Sequence, residues 1–289
     1  MEESALLDYK MQELKLQAAI KTLNEAHANA VKNNDIFDLL HTKEALLSNN
    51  SKSPLISNYI CLLFYGIDQK NFAEKFLKNK EAIYSHASKA TKDISTNFIN
   101  KLKNKTTIFI PYLSYEIEKG LSFSQGKNNF IINTIEHPCA EAAGVGAKAT
   151  LYNIKTNIFH SSAISRAIEA SDVCVLGAVA ITEEGGAVCE LSGLSTAIIA
   201  FHYNVPTYVC ANSLKYTKTA LLGNLLSAAG EDRIDKADFL SNKKISVPKY
   251  EKIHKNHISG FISEIGIHSP DSFIHETKRH HMSLVKQLS

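Results

Sequence analysis

No stretch of this 289-residue chain approaches the ~20 consecutive apolar residues that a membrane-crossing helix requires. No CxxC pair occurs, and neither sign of charge dominates. The first absence excludes a bilayer-spanning helix, so a membrane partner is not expected. The second, with an odd set of five cysteines (Cys61, Cys139, Cys174, Cys189, Cys210), fits neither a disulfide framework nor a zinc ribbon. Reduced thiols in a cytoplasmic protein are the simplest reading. Third, 32 Lys and Arg against 29 Asp and Glu leave a net charge of +3, too little to argue for direct nucleic-acid binding. The opening residues MEESALLDYK lack the basic, apolar and small order of a signal peptide. What is present is 44% hydrophobic and 21% charged residues, enough for one large or two ordinary domains with apolar cores.

Two periodicities divide the chain. Residues 1–105 carry apolar positions three and four apart, as in Leu7, Met11, Leu14 and Ala18, and read as a helical N-terminal domain. Asp35 or Asn34 is placed to cap a second helix, and Pro54 to open a third. From residue 106 to 289, short β-branched runs alternate with helix-length segments. The predicted strands are 106–110, 129–135, 149–154, 172–178 and 206–210. Alternation of this kind predicts a Rossmann-like α/β domain, a mostly parallel sheet with helices on both faces. Ligands of such sheets bind beyond the carboxyl ends of the strands.

The strand ends hold the candidate ligand residues. Ser114 is placed to cap a helix whose N-terminus offers N–H groups to an anion. Glu136, His137 and Cys139 follow the second strand, where a helix start would lower a thiol pKa. A nucleophile also needs a base positioned in space, which sequence neighbours do not supply. Gly185 and Gly186 follow two acids and predict a tight turn with positive φ in a small hairpin. Lys215, after the last strong strand, has the reach to hold a phosphate. Gly144 and Gly146 lack the third glycine of a dinucleotide fingerprint. His275, His280 and His281 do not make an HExxH pattern, since Arg279 stands in the second His place, and they read as a solvated tail helix. No metal and no cofactor is expected.

Several strings resemble one family. Residues 171–216, SDVCVLGAVAITEEGGAVCELSGLSTAIIAFHYNVPTYVCANSLKY, are similar to the alpha, beta and delta subunits of translation initiation factor 2B. They are also similar to ribose-1,5-bisphosphate and methylthioribose-1-phosphate isomerases. Ile265-Gly266-Ile267-His268-Ser269-Pro270 is a second match. The resemblance is closest to the alpha type and implies a homodimer. Its implied partners are other initiation factor 2B-type subunits and initiation factor 2, with a sugar-phosphate or nucleotide as ligand.

The departures from the pattern bear on chemistry. Tyr112 stands where the isomerases have the Cys of proton transfer, and Val179 where they have an Asp acid/base group. An aldose–ketose shift needs a group that removes and returns a proton. Valine has none, and a tyrosine near pKa ~10 is a poor replacement for a thiol. His137 stands in place of a phosphate-binding Arg, and Cys189 in place of an Asn. The resemblance therefore implies a non-catalytic regulatory or scaffold subunit for guanine-nucleotide exchange, with no catalytic residues assigned. The alternative is an isomerase with relocated groups drawn from Glu136, His137 and Cys139.

Overall fold

Four helices open the chain: α1 (Leu7–Asn33), α2 (Phe37–Asn49), α3 (Pro54–Leu63) and α4 (Phe72–Leu102). The computed structural model describes residues 7–126, 129–136, 141–218 and 249–288. Pro54 begins α3 at its first turn, where its missing N–H has no partner to lose. Asp35 Oδ1 accepts the Phe37 N–H at 3.0 Å, so the acid expected at the second helix start does meet it. Leu23, Leu39, Ile56, Ile60 and Phe76 form the core between these helices. Each such side chain contributes roughly 1.5–3 kcal/mol on burial. Leu214 and Leu284, from far down the chain, complete the same cluster.

The second half is built on strands β1 (Thr107–Phe109), β2 (Ile131–Ile135), β3 (Thr156–Phe159), β4 (Val173–Gly177), β7 (Thr207–Cys210), β10 (Gly260–Ser263) and β11 (Gly266–His268). They form one sheet in the order β11-β10-β7-β4-β1-β2-β3. All neighbours are parallel except β10 and β11. Helices α5 (Tyr115–Ser124), α6 (Glu141–Leu151), α7 (Ile164–Glu169), α8 (Gly193–His202) and α9 (Pro270–Leu288) cover it. The two-residue period of the strands decides which side each residue faces. Ile108, Ile110, Val173 and Val175 pack against Phe98 of α4, Ile117 of α5 and Val145 of α6. Phe109 and Cys174 point the other way, to Ile168 of α7 and Ala200 of α8. Leu176, Val209 and Phe261 meet Ala197 of α8 and Phe273 of α9. The architecture is a helical N-terminal region followed by a mostly parallel sheet with helices on both faces.

Two sequence expectations are corrected. Residues 149–154 are not a strand, because α6 continues to Leu151 with Val145 and Ala149 on its buried face. Asn153, at φ +57, then turns the chain, and the strand begins at Thr156. The C-terminal helix α9 is not solvated all round: it buries Phe273, Ile274, Thr277, Leu284 and Leu288. The sequence reading also missed a second sheet, formed by β5 (Ala180–Thr182), β6 (Ala187–Glu190), β8 (Tyr216–Thr217) and β9 (Tyr250–Ile253), in the order β8-β5-β6-β9.

Candidate functional site

Strand β1 lies between β2 and β4, so the order of building reverses there and opens a crevice at the strand carboxyl ends. In this protein the crevice is filled. Tyr112, just after β1, is buried among Leu176, Ala178, Ala187 and Cys189. Its hydroxyl donates to the Gly177 carbonyl at 2.9 Å. Burial pushes the Tyr112 pKa well above 10, with the neighbouring Cys189 adding to the effect. Burial also pushes the Cys189 thiol up to about 12. Two glycines make room for this packing. A Cβ on Gly193 would stand 2.8 Å from Cys189 Cβ and 3.3 Å from the Tyr112 oxygen. A Cβ on Gly177 would fall 2.3 Å from Ser114 Cβ. Val179 packs with Ala180, Val188 and Tyr250.

Beside this plug lies a buried ion pair. Lys215 Nζ stands 2.6 Å from Glu116 Oε1, and the two side chains are 1% and 3% exposed. The ammonium also donates to the Ala178 carbonyl at 2.8 Å. Glu116 sits in the first turn of α5, where the helix dipole favours a carboxylate. Its other oxygen, Oε2, is buried with no hydrogen-bond partner among the described residues. Glu264, following β10, accepts the Ser213 N–H at 3.0 Å and the Ser213 hydroxyl proton. Burial raises its pKa to about 7, and those Ser213 donors oppose the rise. Asn58 of α3 donates to the Leu214 carbonyl at 2.6 Å and the Tyr216 carbonyl at 3.0 Å, tying the helical region to this loop. Between helices and sheet mouth is a cavity of 370 Å³ lined by Tyr59, Tyr84, Tyr115, Glu116, Lys119 and Asn212 among others.

The expected ligand residues are dispersed around this mouth. Ser114 caps α5, accepting the Ile117 N–H at 3.3 Å, and Lys215 lies behind Glu116. Neither lines the cavity. Glu136 is exposed at the end of β2, where its N–H donates to the Phe159 carbonyl at 2.6 Å. His137 and Cys139 lie outside the described residues. Gly185 and Gly186 do form the turn of a hairpin, β5–β6, with Gly185 at φ +85. That turn packs on Pro270 at the start of α9, away from the cavity lining. Gly146 lies inside α6, as a helical residue and not a phosphate turn.

Glu116, Asn212 and Tyr59 were missed by sequence reading. The signal for Glu116 was present, an acid two residues after a helix cap. That for Glu264 was hidden because Gly260–Ser263 had not been recognised as a strand.

These features define a doubly wound α/β protein with a helical N-terminal region and a cavity lined by residues of both parts. The model of the Initiation factor 2 subunit family matches residues 4–270, and the chain belongs to that family. It is 22% identical over 231 residues to the ribose 1,5-bisphosphate isomerase of Methanocaldococcus jannaschii, covering 78% of this chain and 75% of that protein. It is 32% identical over 95 residues to translation initiation factor eIF2B subunit alpha of Dictyostelium discoideum, covering 33% of this chain and 30% of that one. Among solved structures, the tetrameric eIF2B-beta2-delta2 complex from C. thermophilum superposes with a TM-score of 0.70 at 14% identity, covering 96% of this chain and 93% of the matched one. That last likeness is one of fold.

Proposed function

We propose that this chain is a non-catalytic subunit of the initiation factor 2B type, nearest the alpha type. Its role is regulatory or scaffolding in guanine-nucleotide exchange on initiation factor 2, in the cytoplasm. It pairs with a second copy of itself and with other subunits of that type, and residues 1–105 and 106–289 act as its two domains. The observation that carries the reading is Tyr112. An isomerase needs a side chain that takes and returns a proton at the sugar. The Tyr112 hydroxyl is committed to the Gly177 carbonyl and held well above its ordinary pKa. Val179, in the other acid/base place, is packed in an apolar cluster. The neighbouring Cys189 thiol, up at about 12, is no thiolate at neutral pH.

The cavity supports a retained ligand pocket as part of the same proposal. Glu116 Oε2 is free to accept from a hydroxyl, as a sugar or a ribose would offer. A phosphate reaching Lys215 from that side would have to displace Glu116, so a hydroxyl-bearing ligand fits this wall better than an anion does.

The test is purification of the tagged chain from its native cells. The eluate is identified by mass spectrometry and assayed on ribose-1,5-bisphosphate and methylthioribose-1-phosphate. Initiation factor 2 and 2B-type subunits are expected to co-elute, with no sugar-phosphate turnover. Turnover abolished by Cys139→Ala would overturn the proposal in favour of the isomerase reading.

A further inference from the structure

Three side chains from distant parts of the chain converge at the edge of the sheet mouth, next to the Ser213 loop. His86 comes from α4, Glu264 from the end of β10 and His280 from α9. Their ligating atoms all lie within 4.8 Å of one another. The two imidazole Nε2 atoms face each other at 3.2 Å. Two nitrogens bound to one tetrahedral zinc ion at ~2.05 Å stand about 3.3 Å apart, so the observed spacing is already that of two corners of a coordination tetrahedron. We propose that His86, Glu264 and His280 form a site for a divalent transition-metal ion, zinc first.

The donor set decides the class of ion. Two imidazoles and a carboxylate suit zinc and its neighbours in the first transition row, whereas calcium and magnesium take oxygen shells. Glu264 is anchored by neutral donors, the N–H and hydroxyl of Ser213, which fix its orientation while leaving its charge for a cation. The site opens on a cavity of 810 Å³ whose wall includes Lys89, Asp93 and Glu276. Three protein ligands and an open face leave the fourth position to water, the pattern of an exchangeable site rather than a closed structural one. The ion would join a helix of the N-terminal region to the last strand turn and the last helix of the sheet region. Its binding is then linked to the docking of those parts, since a metal bound only by the folded chain stabilises the fold.

The experiment uses the full chain, stripped with a chelator and titrated with zinc by calorimetry, then with cobalt by visible absorption. One equivalent of zinc is expected, with a rise in melting temperature. Cobalt is expected to give the strong d–d bands of a four-coordinate nitrogen–oxygen site. His86→Gln and His280→Gln should each weaken binding at least tenfold. His275→Gln, on the exposed side of the same helix, should leave it within twofold. No stoichiometric uptake, or uptake unchanged in His86→Gln and His280→Gln, overturns the proposal. So does a cobalt spectrum no stronger than that of the hydrated ion, a result that stands even where a variant does not fold.

Discussion

Replacing Lys215 by Met keeps most of the buried stem and removes only the ammonium. Glu116 is then left 3% exposed with one oxygen that already had no partner and another that keeps only the Asn212 N–H at 3.5 Å. Removing one member of a buried pair typically costs about 3–5 kcal/mol, because an uncompensated charge remains. The Ala178 carbonyl also loses its donor. For a chain of this size the loss corresponds to a drop in melting temperature on the order of 10 °C. Replacing both residues, Glu116→Leu with Lys215→Met, removes the stranded charge. The remaining cost is then the unpaired carbonyl and amide, about 1–3 kcal/mol. The double variant should therefore be more stable than Lys215→Met alone, the opposite of additive behaviour. Urea titrations of the four proteins, followed by circular dichroism at 222 nm on the order of micromolar protein, measure this, provided the m-values agree. A loss below about 1 kcal/mol for Lys215→Met, as for an exposed pair, would refute the reasoning. It would mean that the ammonium is hydrated and available to an anion, as the sequence alone suggested.

Three further outcomes follow from the packing. Gly120→Ala places a Cβ 2.6 Å from the Phe98 ring, so overpacking of about 1–3 kcal/mol should outweigh the helix-propensity gain of under ~1 kcal/mol. A urea midpoint equal to or above that of the parent would contradict the close approach of α4 and α5. Tyr112→Phe should cost about 1–2 kcal/mol by withdrawing a buried hydroxyl from Gly177, without altering sugar-phosphate turnover; stability unchanged by the substitution would show a hydrated hydroxyl. In a Cys61→Ser, Cys139→Ser variant, the buried Cys174, Cys189 and Cys210 should react with Ellman's reagent at pH 8 only after denaturation. Rapid labelling of Cys189 in the folded chain would show the plug around Tyr112 to be open.

The sheet was legible wherever burial on both faces left a continuous apolar run. Ile108, Phe109, Val173, Cys174, Val175 and Leu176 are all 0% exposed, and their β-branched or apolar character gave the strands away. The edge strand β3 failed for the converse reason. Ile158 is 60% exposed, so Thr156–Phe159 carries no run that periodicity would recognise. The strands of the second sheet are two to four residues long and, apart from the β5–β6 hairpin that the two glycines signalled, pair with distant partners, such as Ala187 with Ile253. No local pattern encodes such a pairing. The candidate site was legible one residue at a time. Lys215, Ser114 and the turn at Gly185 were all visible as residue types, but what each one meets was not. The Glu116 carboxylate that neutralises Lys215 lies 99 positions away, and only the order of strands brings it there. His280 likewise read as solvated because its partner, His86, is on another helix.

Close packing at the mouth bears on where a small molecule could enter. The Tyr112 ring fills the crevice end between β1 and β4, packed on Leu176, Ala178 and Cys189. A Cβ at position 193 would crowd Cys189 beside that ring, and one at position 177 would collide with Ser114. A ligand entering the crevice between β1 and β4 would have to expel that ring and break its bond to the Gly177 carbonyl, a loss comparable to the deletion of a large core side chain, roughly 3–5 kcal/mol. The cavity on the helical side demands no such displacement. Its wall joins Tyr59 of α3 to Glu116 of α5 and to Asn212 after β7. A small molecule held there would touch both the helical region and the sheet without displacing Tyr112.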